Sequence, residues 1–408
     1  MRILFLQKRP LFPANTGGKI RTLNVLRHLA RWHEITYLCN IQDDEQQYVD
    51  SRRELGLRVE CVPWRETRRQ TVAFHLELAG NLCSPYPYSV SKDFDKRLRA
   101  RAAQLIDDES YDLIVCDFVQ MARNCMGLAT IPKILFQHNV EAQIFDRHAR
   151  HDKGLVRRRF MALQSTKMRR FESAAGRTFD AVVAVSALDE QKFREDYGWQ
   201  HVRTIDTAVD TAYFHPSHVP EQPGRVVFIG SMDWLPNQDG VTDFVATVWP
   251  RIRAAYPAAE FRIVGRNPTE GVRRLGNQPG VVVEGTVPDI RPHLAAAQVC
   301  VVPLRIGGGT RLKIYEAMAM GKAVVSSSVG AEGLPLQSGE HLVIADGAAA
   351  MATAIVRLLE SDSERSRLSA NARQLVTDKY SAEVVARQFD EICRATVAQH
   401  RGTCAGAT

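Results

Sequence analysis

The 408-residue sequence lacks the features that define several large classes of protein. It has no apolar run near the ~18–20 residues that a membrane-spanning helix needs. Its eight cysteines are scattered and form no C-x-x-C pair, which disfavours a disulfide framework or a zinc site. The first apolar segment, RILFLQ, follows the starting methionine without the layout of a signal peptide. We therefore expect a cytoplasmic globular protein that binds no metal.

Charge is unevenly distributed along the chain. The net charge is +7, and the basic excess lies in the N-terminal half, most densely at residues 147–170, with nine basic residues and one acidic one. Apolar residues recur there at roughly helical spacing, which predicts one basic amphipathic helix. Such a helix could contact an anionic membrane surface, or it could be a solvated helix packed by its apolar stripe. Nucleic acid is not expected as a partner, since no recognition motif accompanies the charge.

Short apolar runs alternate with helical patterns along most of the chain. This alternation is typical of α/β domains with parallel sheets. It restarts after a segment rich in proline and polar residues at 214–224, so we expect an N-terminal domain at 1–212 and a C-terminal domain at 224–378. A last helix, at about 381–400, is expected to pack back on the N-terminal domain. A length of 408 residues suits two domains.

The most informative segment is GGGTRLKIYEAMAMG, from Gly307 to Gly321. It follows an apolar run and opens a helix, so its glycines allow close backbone approach while the helix N-terminus favours an anion. Arg311 and Lys313 add positive charge, and Glu316 lies far enough along the helix to reach a group beside the anion. This pattern indicates a site for a nucleotide diphosphate that carries a sugar.

Other candidates follow predicted strands, where ligands bind in parallel sheets. In the C-terminal half, glycine follows three strands, at Gly230, Gly265 and Gly285, and the three are expected to line one wall. In the N-terminal half, Gly17 and Gly18 open a helix in a candidate phosphate or acceptor loop. His138 could bind a sugar or transfer a proton, or it could be an ordinary loop residue. Asp117 is a further candidate, although a helix cap explains it better.

The chain resembles the GT-B fold glycosyltransferases of family 4. The resemblance extends from RILFLQ and GGKIRTLNVLRHLA through FDAVVAVSALD to VGRNP, VEGTVPDI and VPLRIGGGTRLKIYEAMAMGKAVVSSSVGAEGL. It implies two Rossmann-like α/β domains with parallel sheets facing across a cleft, an N-terminal acceptor side and a C-terminal donor side. It also implies transfer of a hexose from a nucleotide-diphosphate sugar to a glycan or polyprenyl-linked acceptor, with retention and without a metal. Such an enzyme would act in polysaccharide biosynthesis, in the cytoplasm or at the inner face of the plasma membrane.

The resemblance also assigns roles to residues. Glu316 matches the second glutamate of the family's Glu-x7-Glu pattern and would bind the donor ribose, whereas Gly308 stands where the first glutamate is usual. The loop after the first C-terminal strand lacks the family's Arg and Lys. The implied site residues are, for catalysis, His138, Arg311 and Lys313; for donor binding, Gly230, Arg266, Val287, Gly308, Gly309, Thr310 and Glu316; and, for the acceptor or phosphate loop, Gly17, Gly18 and Glu141.

Three alternative functions make different demands on the sequence. A metal-dependent GT-A transferase would need an Asp-x-Asp motif after an apolar strand, but Asp93-Phe94-Asp95 lies at a predicted helix start, so we reject it. A sugar-nucleotide epimerase with the same architecture needs paired carboxylates at the sugar, and Gly308 removes one. A non-catalytic scaffold that binds nucleotide sugar stays open, because the family's first glutamate and its Arg and Lys are absent.

Overall fold

The computed structural model describes residues 1–14, 16–48, 55–128, 130–151, 154–306 and 311–405. The chain forms two compact units, one of Met1–Asp206 with Val385–Thr408 and one of Thr207–Val384. The chain passes from the first unit to the second after Asp206, a few residues before the predicted boundary at 212. The proline-rich segment at 214–224 therefore lies inside the second unit.

The strands of both units are short. Their bounds are β1 Arg2–Gln7, β2 Glu34–Ile41, β3 Arg58–Pro63, β4 Leu113–Asp117, β5 Lys133–Phe136, β6 Ala181–Ala184, β7 Val202–Thr204, β8 Arg225–Ile229, β9 Glu260–Val264, β10 Val281–Gly285, β11 Val299–Val302, β12 Ala323–Ser326 and β13 Val343–Ile344.

Helices connect these strands and close the chain. Their bounds are α1 Gly17–Leu29, α2 Val72–Asn81, α3 Tyr88–Asp93, α4 Lys96–Asp108, α5 Ala122–Cys125, α6 Glu141–His151, α7 Leu155–Gly176, α8 Ala187–Tyr197, α9 Leu235–Asp243, α10 Trp249–Ala255, α11 Glu270–Arg274, α12 Arg291–Ala295, α13 Leu312–Ala319, α14 Ala348–Glu360, α15 Asp362–Lys379 and α16 Ala382–Ala405.

The first unit is built on a parallel sheet. Within the described residues its strand order is β3-β2-β1-β4-β5-β6-β7. β1 pairs with β2 on one side and β4 on the other, with Leu4 opposite both Thr36 and Ile114. Because helices cover both faces, its strands are near-continuous apolar runs, and residues 3–6 of β1 are fully buried. The strand order reverses between β1 and β4.

The second unit repeats this plan. Its described strands form a parallel sheet in the order β10-β9-β8-β11-β12-β13, which reverses between β8 and β11. One apolar core joins the strands to the helices around them, with Phe228, Phe244 and Phe261 fully buried. Two parallel sheets with interleaved helices confirm the predicted fold class.

The C-terminal helix α16 connects the units and belongs mainly to the first. The Phe389 ring lies 5.1 Å from that of Phe136 on β5, and Asp390 Oδ1 lies 2.6 Å from Nε2 of His33. His400 Nδ1 lies 3.0 Å from an oxygen of Asp180. These contacts hold the helix on the first unit along most of its length.

The basic stretch at 147–170 differs from the prediction of one amphipathic helix. It is divided between α6, which ends at His151, and α7, which begins at Leu155. Met168 and Phe171 are buried, whereas Leu155 and Leu163 at the start of the same expected stripe are exposed. Across the described ranges, no helix combines the length and apolar character needed to cross a membrane.

Candidate functional site

In sheets of this kind, ligands bind beyond the carboxyl ends of the strands, at the point where strand order reverses. In the second unit this point lies between β8 and β11. Gly230 follows β8 directly, and the chain after β11 leads, through residues 307–310, to Arg311 and α13. The sequence-predicted residues Gly230, Lys313 and Glu316 thus belong to the elements that adjoin the reversal point.

Two strand-ending glycines have close neighbours where a side chain would lie, backbone at Gly265 and side-chain ends at Gly230. A Cβ at Gly265 would lie 1.7 Å from the carbonyl oxygen of Gly230, so no side chain fits there. A Cβ at Gly230 would lie 2.7 Å from both Lys313 Nζ and Asn237 Nδ2. Gly265 also donates its backbone N–H to the carbonyl of Gly285 at 2.9 Å. The predicted wall of glycines is therefore continuous across β8, β9 and β10.

Lys313 is directed at the end of β8. Its Nζ donates to Asn237 Oδ1 at 2.8 Å and lies 4.4 Å from the centroid of the Phe228 ring. Asn237 is itself fixed, because its Nδ2 donates to the carbonyl of Ser231 at 2.8 Å. Burial lowers the pKa of Lys313 to about 8, although the charge of Glu316 acts in the opposite direction. The ammonium group is thus held in place and only partly solvated.

Glu316 lies three residues after Lys313, so both side chains are on neighbouring positions of one helix face. Burial raises the pKa of Glu316 to about 7, and the positive charge of Lys313 limits the rise. Its carboxylate forms no hydrogen bond with any residue in the described part of the chain. A positioned cation beside a carboxylate with open acceptor capacity can bind an anion and a neighbouring hydroxyl group at the same time.

The other predicted cations have different surroundings. Arg311 is 4% exposed, and its Nη2 donates to the Val329 carbonyl at 2.9 Å and lies 3.4 Å from Glu332. Burial lowers its pKa, opposed by the charge of Glu332. Arg266 is more open and donates from Nε to Ser231 Oγ at 2.8 Å. Arg311 and Lys313 thus have separate partners, instead of forming one pair.

Fewer contacts are described for the remaining residues predicted on the donor side. Val287 is partly buried and packs against the core of the second unit. Gly308, Gly309 and Thr310 lie outside the described residues. Asn237 and Phe228 were not identified from the sequence, although Asn237 is in the loop region where the family's Arg and Lys are absent.

In the first unit, a buried network lies at the reversal point between β1 and β4. Asp117, at the end of β4, is fully buried and accepts hydrogen bonds from Gln7 Nε2 at 2.5 Å and Thr22 Oγ1 at 2.7 Å. Its other oxygen lies 2.6 Å from His138 Nε2, and His138 Nδ1 lies 3.0 Å from Arg21 Nη1. Asp117 is therefore a network centre and not the helix cap that its position suggested.

These contacts assign the tautomer of His138. Arg21 can only donate, so Nδ1 accepts and Nε2–H donates to Asp117. Burial lowers the pKa of His138 and so favours the neutral ring. The charge of Asp117 acts in the opposite direction. Both ring nitrogens are thereby bonded within the protein, and the residue is 4% exposed. A catalytic role for His138 stays a prediction.

Aromatic packing encloses the same histidine. The Phe118 ring stacks on His138 at 4.0 Å between centroids, and Phe118 itself adopts a positive φ of 68°. A Cβ at Gly18 would lie 2.5 Å from the tip of the Phe118 ring. Gly18 is thus required for packing, whereas Gly17 is the first residue of α1.

Glu141, at the start of α6, is buried, and burial raises its pKa to about 7. The N-terminus of that helix is occupied by Glu172, a residue that the sequence did not single out. The Glu172 carboxylate accepts from the backbone N–H of Glu141 at 3.0 Å and of Ala142 at 3.3 Å. It also accepts from Gln137 Nε2 at 3.0 Å and Tyr197 Oη at 2.7 Å. Glu172 therefore fixes the loop that carries His138.

The described ranges hold no candidate metal centre. They contain no group of three or more His, Cys, Asp or Glu side chains placed to hold a metal ion. Asp93 and Asp95 do not form such a group: Asp93 pairs with Lys8 at 2.8 Å, and Asp95 accepts from the backbone N–H of Arg97 at the start of α4.

Two Rossmann-like units, each with its candidate residues at the strand-order reversal, define the GT-B class of glycosyltransferases. The family model described as Glycosyltransferase Family 4 matches residues 16–213, and the one described as Glycosyl transferases group 1 matches residues 223–361. The chain therefore belongs to the GT-B glycosyltransferases of family 4, which confirms the resemblance.

Relatives and solved structures agree with this assignment. An uncharacterised 44.6 kDa protein of the cps region of Klebsiella pneumoniae is 20% identical over 401 residues, covering 92% of this chain and 95% of the relative. The phosphatidyl-myo-inositol mannosyltransferase of Mycolicibacterium smegmatis is 32% identical over 217 residues, covering 51% of this chain and 55% of the relative. HepE of Anabaena, solved in complex with UDP, shares the fold with a TM-score of 0.68 at 15% identity, covering 97% of this chain and all of that one. Sucrose-phosphate synthase of Thermosynechococcus elongatus has a TM-score of 0.69 at 18% identity, covering 98% of this chain and 100% of the other.

Proposed function

We propose that this glycosyltransferase moves a hexose from a nucleotide-diphosphate sugar to a glycan or polyprenyl-linked acceptor, with retention of configuration and without a metal cofactor. The observation that carries the proposal is the placement of Lys313 and Glu316 on one face of α13, beside the reversal point of the second sheet. Gly230 adjoins Lys313, whose ammonium group lies where a side chain at position 230 would be. A nucleotide ligand agrees with HepE, which was solved with UDP and with UDP-glucose.

The chemistry follows from what bond cleavage requires. Breaking the anomeric C–O bond leaves a nucleotide diphosphate whose developing negative charge must be stabilised by fixed donors. We assign Lys313 the direct contact with the diphosphate and Glu316 the ribose hydroxyls. Arg311 contributes charge from its position beside Val329, and Arg266 is the more accessible second cation. The backbone amides of 308–310 complete the donor site.

We further propose that the first unit binds an anionic membrane surface through 147–170 and acts at the cytoplasmic face. Arg157, Arg158 and Arg159 are all exposed, beside exposed Leu155 and Val156 at the start of α7. Exposed apolar side chains among arginines are typical of surfaces that lie in the membrane interface.

The membrane proposal is tested by sedimentation with vesicles of phosphatidylglycerol and phosphatidylcholine. Replacing Arg157, Arg158 and Arg159 by Gln should abolish co-sedimentation, while an Arg367→Gln variant in the second unit serves as the charge control. Equal sedimentation of the triple variant and the unchanged protein would exclude this surface.

The transferase proposal is tested by release of nucleotide diphosphate from a panel of UDP-, GDP- and ADP-sugars, with and without glycan and polyprenyl-phosphate acceptors. Acceptor-dependent release from one donor, with the product retaining the donor's anomeric configuration, is the expected result. Donor binding without turnover over the whole panel would identify a scaffold, and a changed sugar without acceptor would identify an epimerase. The same assay with EDTA tests metal independence.

A further inference from the structure

The first unit contains a cavity of about 420 Å³ outside the network around His138. It lies among the segment after β3, the helix α2 and the helix α3, and most of its lining side chains are polar or charged. Its volume is within the ~300–1,000 Å³ of small-molecule sites. A cavity that is polar yet contains aromatic rings calls for a ligand with both hydroxyl groups and apolar C–H faces.

One wall of the cavity is an aromatic ring held rigidly. The guanidinium of Arg9 lies 4.1 Å from the centroid of the Trp64 ring, which is a cation–π contact. Arg9 is in turn fixed, since its two Nη atoms lie 3.3 Å from Glu45 and 3.0 Å from Glu66, and its carbonyl accepts from Tyr37 Oη at 2.7 Å. Trp64 is thereby presented to the cavity at little cost in conformational entropy.

The rest of the lining offers a set of hydrogen-bonding groups. Glu77 on α2 accepts from Thr67 Oγ1 at 2.5 Å and from Tyr88 Oη at 2.9 Å. Lys92 on α3 is bonded to Glu66. Arg65 also lines the cavity and is exposed, and it forms no hydrogen bond or ion pair within the described ranges. Donors and acceptors are therefore both available to a bound ligand.

The cavity shares an edge of the sheet with the predicted acceptor loop. Trp64 follows β3 directly, while Lys8 and Arg9 follow β1, and parallel strands direct these ends to the same edge. Lys8 reaches Asp93 at the end of α3 with 2.8 Å between Nζ and Oδ1. A ligand in the cavity thus lies on the carboxyl edge of the unit to which the acceptor is assigned.

We propose that this cavity binds the saccharide part of the acceptor, with a pyranose ring against Trp64 and its hydroxyls bonded to Arg65, Glu77 and Tyr88. The proposal rests on the proposed transferase function for the identity of the ligand. Sugar hydroxyl groups can donate to the Glu77 carboxylate and accept from the Arg65 guanidinium, so a saccharide can bond to both the acidic and the basic side chain of the lining. A purely apolar chain would use neither the donors of Arg65 nor the remaining acceptor capacity of the Glu77 carboxylate.

The experiment measures saccharide binding directly and needs no transfer reaction. The full chain is labelled with ¹⁵N at its five tryptophans, and the Trp64 indole signal is assigned with Trp64→Phe. Methyl pyranosides of glucose, mannose, galactose and N-acetylglucosamine are then titrated. We expect at least one to shift the Trp64 signal selectively, with a Kd of about 1–10 mM.

Matched variants separate the cavity from its surroundings. Arg65→Ala and Tyr88→Phe should each weaken the interaction about 10-fold, whereas Arg69→Ala, an exposed arginine of the same loop that does not line the cavity, should leave it unchanged. No selective shift of Trp64 with any glycoside, or equal binding in Arg65→Ala and the unchanged protein, overturns the proposal. Nucleotide-sugar binding is measured in parallel: saccharide binding without donor binding would refute the transferase function, while the cavity would keep its assignment as a saccharide site.

Discussion

Replacing Lys313 by Met distinguishes a ligand-binding lysine from a structural one. The substitution removes the ammonium group and keeps a side chain of similar length against the Phe228 ring. If Lys313 serves the donor, its loss should weaken donor binding while the protein stays folded. If it serves the fold, the loss should instead appear in the free energy of unfolding.

The expected magnitudes come from the surroundings of the ammonium group. Burial lowers the pKa of Lys313 from 10.5 to about 8. Since each pKa unit corresponds to about 1.36 kcal/mol, folding disfavours the charged form of the side chain by about 3 kcal/mol at most. This penalty is fully present below pH 8 and is relieved as the pH rises toward 10.5. Removing the lysine leaves Asn237 Oδ1 without its donor, which costs about 1–3 kcal/mol. The two effects oppose each other, so the free energy of unfolding should change by less than about 2 kcal/mol.

The substitution should weaken donor binding, and this effect should be larger than the change in the free energy of unfolding. A hydrogen bond from a charged group contributes about 1.5–3 kcal/mol, so Lys313→Met should raise the Kd of the nucleotide sugar about 10- to 150-fold. Calorimetric titration at pH 7 measures the Kd, and urea unfolding measures stability. An unchanged Kd, together with a loss of stability above about 3 kcal/mol, would refute the reasoning and make Lys313 a structural residue.

Three further predictions concern buried charges. Glu316→Gln should raise the donor Kd about 10- to 100-fold without lowering stability, because the carboxylate is itself disfavoured by burial; equal donor affinity in calorimetry would remove Glu316 from the site. Donor affinity should be highest between about pH 7 and 8, since Glu316 ionises above its pKa of about 7 and Lys313 loses its charge above about 8; a flat profile from pH 6 to 9 contradicts this. Glu172→Ala leaves four buried donors unpaired and should lower the free energy of unfolding by about 3–5 kcal/mol in urea, and a change below about 1 kcal/mol would show that the loop does not depend on it.

Much of the fold was predictable because buried parallel strands are short apolar runs. β3 and β7 are not such runs, since they are edge strands and carry polar residues such as Arg58 and Arg203. The division of the basic stretch into α6 and α7 was also missed, because Leu155 and Leu163 have the spacing of a buried stripe but are exposed. Periodicity alone does not tell which apolar face has a partner.

The site was predictable only where its residues are close in sequence. Lys313 and Glu316 lie three positions apart on a helix and face the same side, so their pairing follows from the spacing. Arg311 and Lys313 are two positions apart, and residues with this separation do not face each other. That both bind the same diphosphate stays a prediction. Asn237 could not be found in this way, because it meets Lys313 only through the pairing of β8 with β11.

The environment of His138 bears on where the acceptor's proton goes. A general base needs a free lone pair, but Nδ1 of the neutral ring already accepts from Arg21 and Nε2–H donates to Asp117. Direct proton transfer to His138 would require breaking the contact with Arg21, a buried cation whose pKa of about 10 still leaves it charged. Under the proposed function, an oxygen of the departing diphosphate is therefore the more accessible proton acceptor, while a catalytic role for His138 stays a prediction. In this mechanism, the charge of Lys313 should contribute more stabilisation as the anomeric C–O bond breaks. The diphosphate oxygens near Lys313 are the ones that gain negative charge and become basic.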